Sequence, residues 1–564
     1  MFHRRKLIIV CTAAGTLGLS LFPFALHLEE SLGLPLLFKL RGTRPAPSEV
    51  CVVAVDKASA VNLGLSDKTE EWPRSLHARL TETLTKAGAS VIVFDLLFER
   101  PSLADDDPLF SDAVQQGKNV VLCTGIRKEA VPLFDKQGKH HGELDIEKIV
   151  LPVAPLAESA AALAPFPLPK VPVKVTQYWT IKTSAGDLPT LPIVAFQLYA
   201  LPLYDNFISL LGKASPSEAK KLPLPGKEQL RAPPGVVRLI GTVKAIFKRN
   251  PRIAGKMLAE LDNPNSLSLD NKQRQILRSL INLYQSSDTS YLNFYGPPGT
   301  IKTIPYYQVL QTQGSSPLPQ KPPDVAGKAV FIGHSEQLLP EQQDAYYTVF
   351  SQTNGVDLSG VEIAATAFAN LLEDMPVRPV RLPVSCIIVF VWGAGLAMLC
   401  FFFSAAIAIT SIIGLSILYL SFASHQFNHS GIWYPLVIPL FFQAPLTLYY
   451  TVLEKYVKTN KERKKIRSAL GYYLPARVAD EMAKNLPDMR TAGHLVYGTC
   501  LSTDAEGYTT LSEMMPPGEL KGFLNGYYEK IFSPVKQHGG IISDVVGDAM
   551  LAMWASAQPD ATIK

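Results

Sequence analysis

Apolar and polar positions follow three regimes along the chain. Residues 7–26, LIIVCTAAGTLGLSLFPFAL, carry no charge, and twenty apolar residues at helical rise cross about 30 Å of hydrocarbon. This predicts a membrane span after a short tail, MFHRRK. The run is long for a signal peptide and no small-x-small cleavage site stands near HLEE, so an uncleaved anchor is expected. A second apolar block, 382–424, is too long for one span. It fits two, 382–403 and 404–424, with a turn at Phe403–Ser404. After a polar loop, HQFNHSG, residues 432–453 predict a fourth span, with Trp433, Tyr434, Tyr449 and Tyr450 at its two ends, where amphipathic rings favour the interface.

Between these blocks, about 27–380, short apolar runs alternate with amphipathic stretches. SEVCVVAVDKAS (48–59), VIVFDLLFE (91–99) and NVVLCTG (119–125) predict buried strands. EWPRSLHARLTETLTKAGAS predicts a helix with Pro73 near its start and Gly88 near its end. LADDDPLFSDAVQQGK predicts another, entered through acidic residues that suit a helix N-terminus. Strand and helix in alternation predict a parallel sheet with right-handed crossovers. Residues 200–290 hold a Pro- and Lys-rich stretch and a predicted helical piece (GKMLAELDN…RQILRSLINLYQS), and read as an insertion.

The third regime follows the last span. Residues 454–490 predict a cytoplasmic linker in which Leu470, Leu474, Val478 and Met482 recur at helical spacing, interrupted by Pro475. Residues 491–564 then read as strand, turn, helix, helix, strand, hairpin, strand. Leu520, Phe523, Leu524, Tyr527, Tyr528, Ile531 and Val535 form an apolar stripe that Gly539-Gly540 ends. Gly547-Asp548 is a two-residue turn with Gly first, as a type II′ hairpin prefers.

Charge orients the spans. Arg4, Arg5 and Lys6 precede the first, and Lys455, Lys458, Lys461, Arg463, Lys464, Lys465 and Arg467 follow the fourth, so both flanks are expected in the cytoplasm. Arg378 and Arg381 oppose this and are outnumbered. The expected placement is an inner membrane, with 27–380 outside the cytoplasm. A net charge of +5 over 564 residues is too small to argue for nucleic acid. The six Cys (11, 51, 123, 386, 400 and 500) form no CxxC pair, so no zinc or redox motif is present. No charged residue lies inside a span, which speaks against a transporter.

Asp56 and Asp95 end predicted parallel strands, where α/β folds place ligands. The plainer reading of these two, and of Asp105–Asp107, is that they cap helices and turns. GPPG at 296–299 is a turn signal and lacks the Lys of a phosphate-binding loop. Asp504 and Asp548 each admit a capping or turn reading as well. As a pair, one ends a strand and the other tips a hairpin of the same sheet. If those strands are neighbours, two carboxylates converge, as hard divalent cations require. The backbone N–H groups of Ala505, Glu506, Gly507, Tyr508 and Thr509 lie at a helix start, where phosphates bind.

Two resemblances carry further expectations. VVAVDKAS, WPRSLHARL, KAGASVIVFDLLFERPS, YLNFYGPPGT, GKAVFIGHS and SGVEIAATAFANLLED occur in the order found in the CHASE type 2 sensors of bacterial receptors. Ser359 and Ala364 stand where that family tends to have Pro and His. The resemblance implies an extracytoplasmic sensor for a signal not named by the sequence.

Asp504-Ala505-Glu506-Gly507-Tyr508-Thr509 and Gly547-Asp548, forty-four residues apart between the two Asp, resemble the class III adenylate/guanylate cyclases. That resemblance implies an α+β ferredoxin-like domain and a homodimer. It implies two Mg²⁺ or Mn²⁺ ions on Asp504 and Asp548, and ATP converted to cyclic AMP and pyrophosphate. The base-reading position, often Lys in adenylate-specific members, is Asp544. The Asn and Arg that stabilise the transition state would come beyond Lys564, so the cyclase domain is expected to be incomplete. A non-catalytic receptor fragment is the alternative. The fold expected overall is a multi-domain membrane protein: an α/β sensor, four transmembrane helices and an incomplete α+β cyclase domain.

Overall fold

The computed structural model describes residues 23–102, 105–134, 140–168, 174–220, 225–264, 267–311, 323–336, 344–351, 356–470 and 497–556. The first expected span, 7–26, and the linker beyond Leu470 lie largely outside them. Two compact units emerge, Met1–Gly395 with Ile413–Gln443, and Leu396–Ile412 with Ala444–Lys564.

In the first unit, six strands run parallel: Thr303–Pro305, Val50–Val55, Ala329–His334, Val91–Leu97, Val120–Phe134 and Ala162–Pro165, in that spatial order. The apolar runs at 50–55 and 91–97 are the buried strands expected, with VCVVAV buried at every position. They are not neighbours, because Ala329–His334 pairs with both. Parallel strands covered on both faces read as continuous apolar runs, and that pattern does not encode their order.

One face packs on Arg74–Lys86 and Asp107–Gly117, through Leu80, Leu84, Phe94, Phe110 and Ile332. The other face packs on Leu191–Tyr199 and Gly360–Leu372, through Val52, Val93, Phe331, Phe196 and Phe368. All of Gly360–Leu372 is buried, as expected of a helix apolar nearly all round. The strand read at 119–125 runs on to Phe134 and turns back as His140–Val150, forming an antiparallel ribbon with mostly exposed side chains. The helices within 200–290 do not form a separate layer. Leu239, Val243, Met257, Leu277 and Leu280 join the same core as the sheet.

Two described helices are long and apolar enough to cross a membrane, Leu382–Phe402 and Ala405–Ser430. Their break at Phe403–Ser404 is where the sequence puts a turn. The bent pair Leu191–Tyr199 and Leu201–Ala214 is also apolar enough, but its first helix lies in the core of the first unit.

The expected polar loop HQFNHSG is a correction. Ala405–Ser430 carries helix through it and stops at Gly431, whose φ of +65° suits glycine. The stretch read as the start of a fourth span also differs. Ile432–Trp433 pairs as a strand with Arg378–Pro379, and helix resumes as Val437–Gln443 and Ala444–Leu470. Glu29, 7% exposed, caps this restart: its carboxylate accepts the N–H groups of Leu436 (2.9 Å), Val437 (2.7 Å) and Ile438 (3.3 Å). These are the donors that a helix start leaves without partners.

In the second unit, Tyr497–Thr503, Ala549–Ser556 and Ile541–Val546 form an antiparallel sheet with Ala549–Ser556 in the centre. Pro517–Gln537 lies against it, and Val535, Met550 and Ala552 are its buried core.

Candidate functional site

The carboxyl ends of the parallel strands gather several polar groups. Asp56 proves to be a helix cap, accepting the Ser59 N–H at 2.7 Å at the start of Lys57–Leu63. Asp106 accepts from Ser75 N–H and the Ser102 hydroxyl, and Asp107 pairs with Arg74 at 3.3 Å. The acidic run thus ties two helix starts together.

Asp95 differs. It lies half-buried with the Asp344 carboxylate nearby and the Cys123 thiol against it. Burial, then Asp344, raises its pKa to about 7, while the thiol opposes the rise. Gly333 next to it admits this packing, since a Cβ there would come within 2.8 Å of Val361 and 3.3 Å of Asp95. Asp56 and Asp95 are separated by the Ala329–His334 strand, hence by about 10 Å at ordinary strand spacing, so the sheet does not bring them together. His334 closes this end, its Nε2 2.9 Å from the Thr69 hydroxyl.

In the second unit the sheet does bring Asp504 and Asp548 to one end. Thr503 pairs with Met550, and Val546 with Ala549, so a strand end and a hairpin tip meet. Asp548 Oδ2 accepts the Ala505 N–H at 2.9 Å. Gly547 has φ +61° and Asp548 is not in the positive-φ region, the type II′ geometry expected. Gly507, φ +75°, leads into the helix Tyr508–Met514. Of the five N–H groups expected to face phosphate, Ala505's is taken by Asp548 and Tyr508's by the Ala505 carbonyl.

Asp544 is exposed in a strand irregularity between Ile542 and Asp544, its carboxylate accepting from Val545 N–H. Tyr528 was not singled out for chemistry by the sequence, where it counts as one of an apolar stripe. It sits near Tyr508 and Asp548, and burial, then these neighbours, pushes its pKa up.

Among the described residues no group of three or more His, Cys, Asp or Glu is arranged to hold a metal. Two carboxylates at one sheet end still suit Mg²⁺, which takes one or two carboxylates and completes its shell with water and substrate phosphate.

A stretch of 65 residues is 35% identical to an adenylate cyclase of Anabaena cylindrica, covering 12% of this chain and 13% of that protein. No solved structure matches. The CHASE2 domain matches residues 8–407, the span that holds the parallel sheet, its covering helices and the first apolar helix after them. The chain belongs to the CHASE2 domain family.

Proposed function

We propose that the chain is a transmembrane receptor cyclase: a CHASE2 sensor outside the cytoplasm, four spans, and a cytoplasmic segment that converts ATP to 3′,5′-cyclic AMP and pyrophosphate, acting as a homodimer. The observation that carries this reading is the Asp548–Ala505 hydrogen bond, which sets the hairpin carboxylate beside the strand-end Asp504. On this reading Asp504 and Asp548 hold two Mg²⁺ or Mn²⁺ ions, which supply charge to activate the ribose 3′-hydroxyl and to stabilise the leaving pyrophosphate. Glu506, Gly507 and Thr509 offer backbone N–H groups to the phosphates, and the Tyr508 ring packs near the hairpin tip, 3.9 Å from a Cβ placed on Gly547. Signal passes along the chain from the Arg378–Pro379 and Ile432–Trp433 pair into Ala444–Leu470.

The test is cyclic AMP formed by membranes carrying the chain. Asp504→Ala and Asp548→Ala should each lower it by about 10²-fold or more with the protein still present in the membrane. Unchanged output in both variants would remove the metal role.

A second reading, a non-catalytic receptor segment, is favoured by the exposure of Leu501, Val546 and Leu551 on the small sheet. It predicts no cyclic AMP from the unaltered chain.

A further inference from the structure

A cavity of about 210 Å³ opens in the sensor beside Arg378–Pro379, the strand that pairs with Ile432–Trp433. Its walls come from Tyr178 and Thr180, from the end of Asn271–Gln285, from Thr289–Tyr291 and from the segment Asp374–Pro379. Four of the hydroxyls around it have their hydrogens already committed. Thr180 donates to the Ser287 carbonyl at 3.0 Å, Ser286 to Leu283 at 2.8 Å, and Ser287 to Thr289 at 2.7 Å. Ser279 donates to the Leu371 carbonyl.

A hydroxyl that has donated keeps its lone pairs. The lining is therefore rich in acceptors and calls for a ligand rich in donors. The charge at the rim is neutralised within the protein: Asp374 accepts from Arg378 at 2.6 Å and from Asn282 at 2.9 Å. An uncharged ligand fits that balance better than an ion.

The second observation is Tyr178. The residue is 1% exposed, it lines the cavity, and its hydroxyl has no hydrogen-bond partner of ordinary geometry among the described residues, although Ser290 lies beside it. A buried hydroxyl left unpaired costs about 1–3 kcal/mol, and a ligand hydroxyl in the cavity would relieve that cost. The cavity is smaller than the ~300 Å³ at which sites for drug-sized molecules begin. It also presents two tyrosine rings, Tyr178 and Tyr291, as apolar surface.

We propose that this cavity is the sensor's ligand site and that it takes a small uncharged polyol of monosaccharide size. Its walls are also the mechanical link. Tyr291 packs edge-on against Trp433 with ring centres 5.5 Å apart, and Arg378 and Pro379 pair with Ile432 and Trp433. A ligand seated here touches both elements that grip residues 431–433. The readout rests on the receptor function proposed above; the binding does not.

The test uses the full chain purified in detergent micelles, with D-glucose, D-galactose and myo-inositol as probes and glycine and L-arginine as charged comparators. At least one polyol should raise the unfolding temperature in a concentration-dependent way and change tryptophan fluorescence. Tyr178→Phe, which removes one oxygen from a side chain kept in place, should weaken that polyol at least tenfold. Its unfolding temperature without ligand checks that it is folded. Ser290→Ala should weaken it less, and Asp95→Asn, at the sheet end, should leave it unchanged. No response to any polyol, a response to glycine or L-arginine alone, or equal affinity in Tyr178→Phe would each overturn the proposal. Polyol binding with no change in cyclic AMP would keep the site and remove only the receptor coupling.

Discussion

The two sheets of this molecule are built on opposite terms. In the sensor, Val50–Val55 is buried at every position and the sheet is covered by helices on both faces. In the carboxy-terminal unit, six of the seven residues of Tyr497–Thr503 are exposed and only a small core lies under Pro517–Gln537. The first arrangement takes its stability from packing, because a buried large apolar side chain contributes about 1.5–3 kcal/mol. The second is laid out by backbone pairing: register alone sets Asp504 and Asp548 at one end. The sensor sheet is thus sealed by its covering helices, whereas the small sheet leaves Asp504 exposed and Asp548 half-buried at its end.

The largest effect expected from this contrast is a core truncation. Phe331 is fully buried between Gly360–Leu372 and its neighbours, with its ring 5.5 Å from Phe368. Phe331→Ala should cost about 3–5 kcal/mol, read as a fall in the unfolding temperature of the chain in micelles. Leu501→Ala, on the exposed strand, should stay within about 0.5 kcal/mol. Similar losses at both positions would break the contrast, because Leu501 would then have to be buried in solution.

The next effect depends on pH. The Asp95 pKa is raised from 3.8 to about 7, first by burial and then by Asp344. The folded protein thus holds a proton that the unfolded chain has lost, so stability is full below the unfolded pKa and falls as pH rises from about 4 to about 7. Each pKa unit is worth about 1.4 kcal/mol, and the partial exposure of Asp95 lowers the total to about 2 kcal/mol. Asp95→Asn should remove this slope and stabilise the sensor at pH 8 but not at pH 4, as measured by denaturant unfolding at the two values. An equal gain at both would show that packing, not ionisation, is at work.

Particular residues show what the sequence carries. The parallel strands were legible because burial on both faces leaves apolar runs such as VCVVAV and VIVF, and the hairpin because Gly547-Asp548 meets a backbone requirement. The break at Phe403–Ser404 was legible from the length of the apolar block alone. What stayed hidden depends on partners far along the chain. Nothing near Ala329–His334 shows that it enters between strands that precede it by more than two hundred residues. Nothing near Glu29 shows that it caps a helix start at Leu436–Ile438. The piece GKMLAELDN…RQILRSLINLYQS could be read as helical, but not as part of the main core. The cavity at Tyr178 was invisible for the same reason, since its walls come from three separated segments. At Asp56 both a site and a cap were open from the sequence, and local geometry makes it a cap.

The smallest effect tests how far helix ends matter in a unit held by packing. Gly360–Leu372 begins with a capping box: the Ser359 hydroxyl accepts the Glu362 N–H at 3.3 Å, and the Glu362 carboxylate accepts the Ser359 N–H at 3.4 Å. Ser359→Ala removes the hydroxyl, for an expected cost of about 1 kcal/mol. It should not unfold the helix, because all thirteen of its residues are buried and the Gly299 N–H still holds Glu362 at 2.7 Å. The change also removes a donor to a carboxylate that burial already pushes up, so the Glu362 pKa should rise further. The cost should therefore grow with pH, from near the cap value at pH 5 to more than that at pH 8. A loss as large as that of Phe331→Ala would show that the cap, and not the core, holds this helix on the sheet.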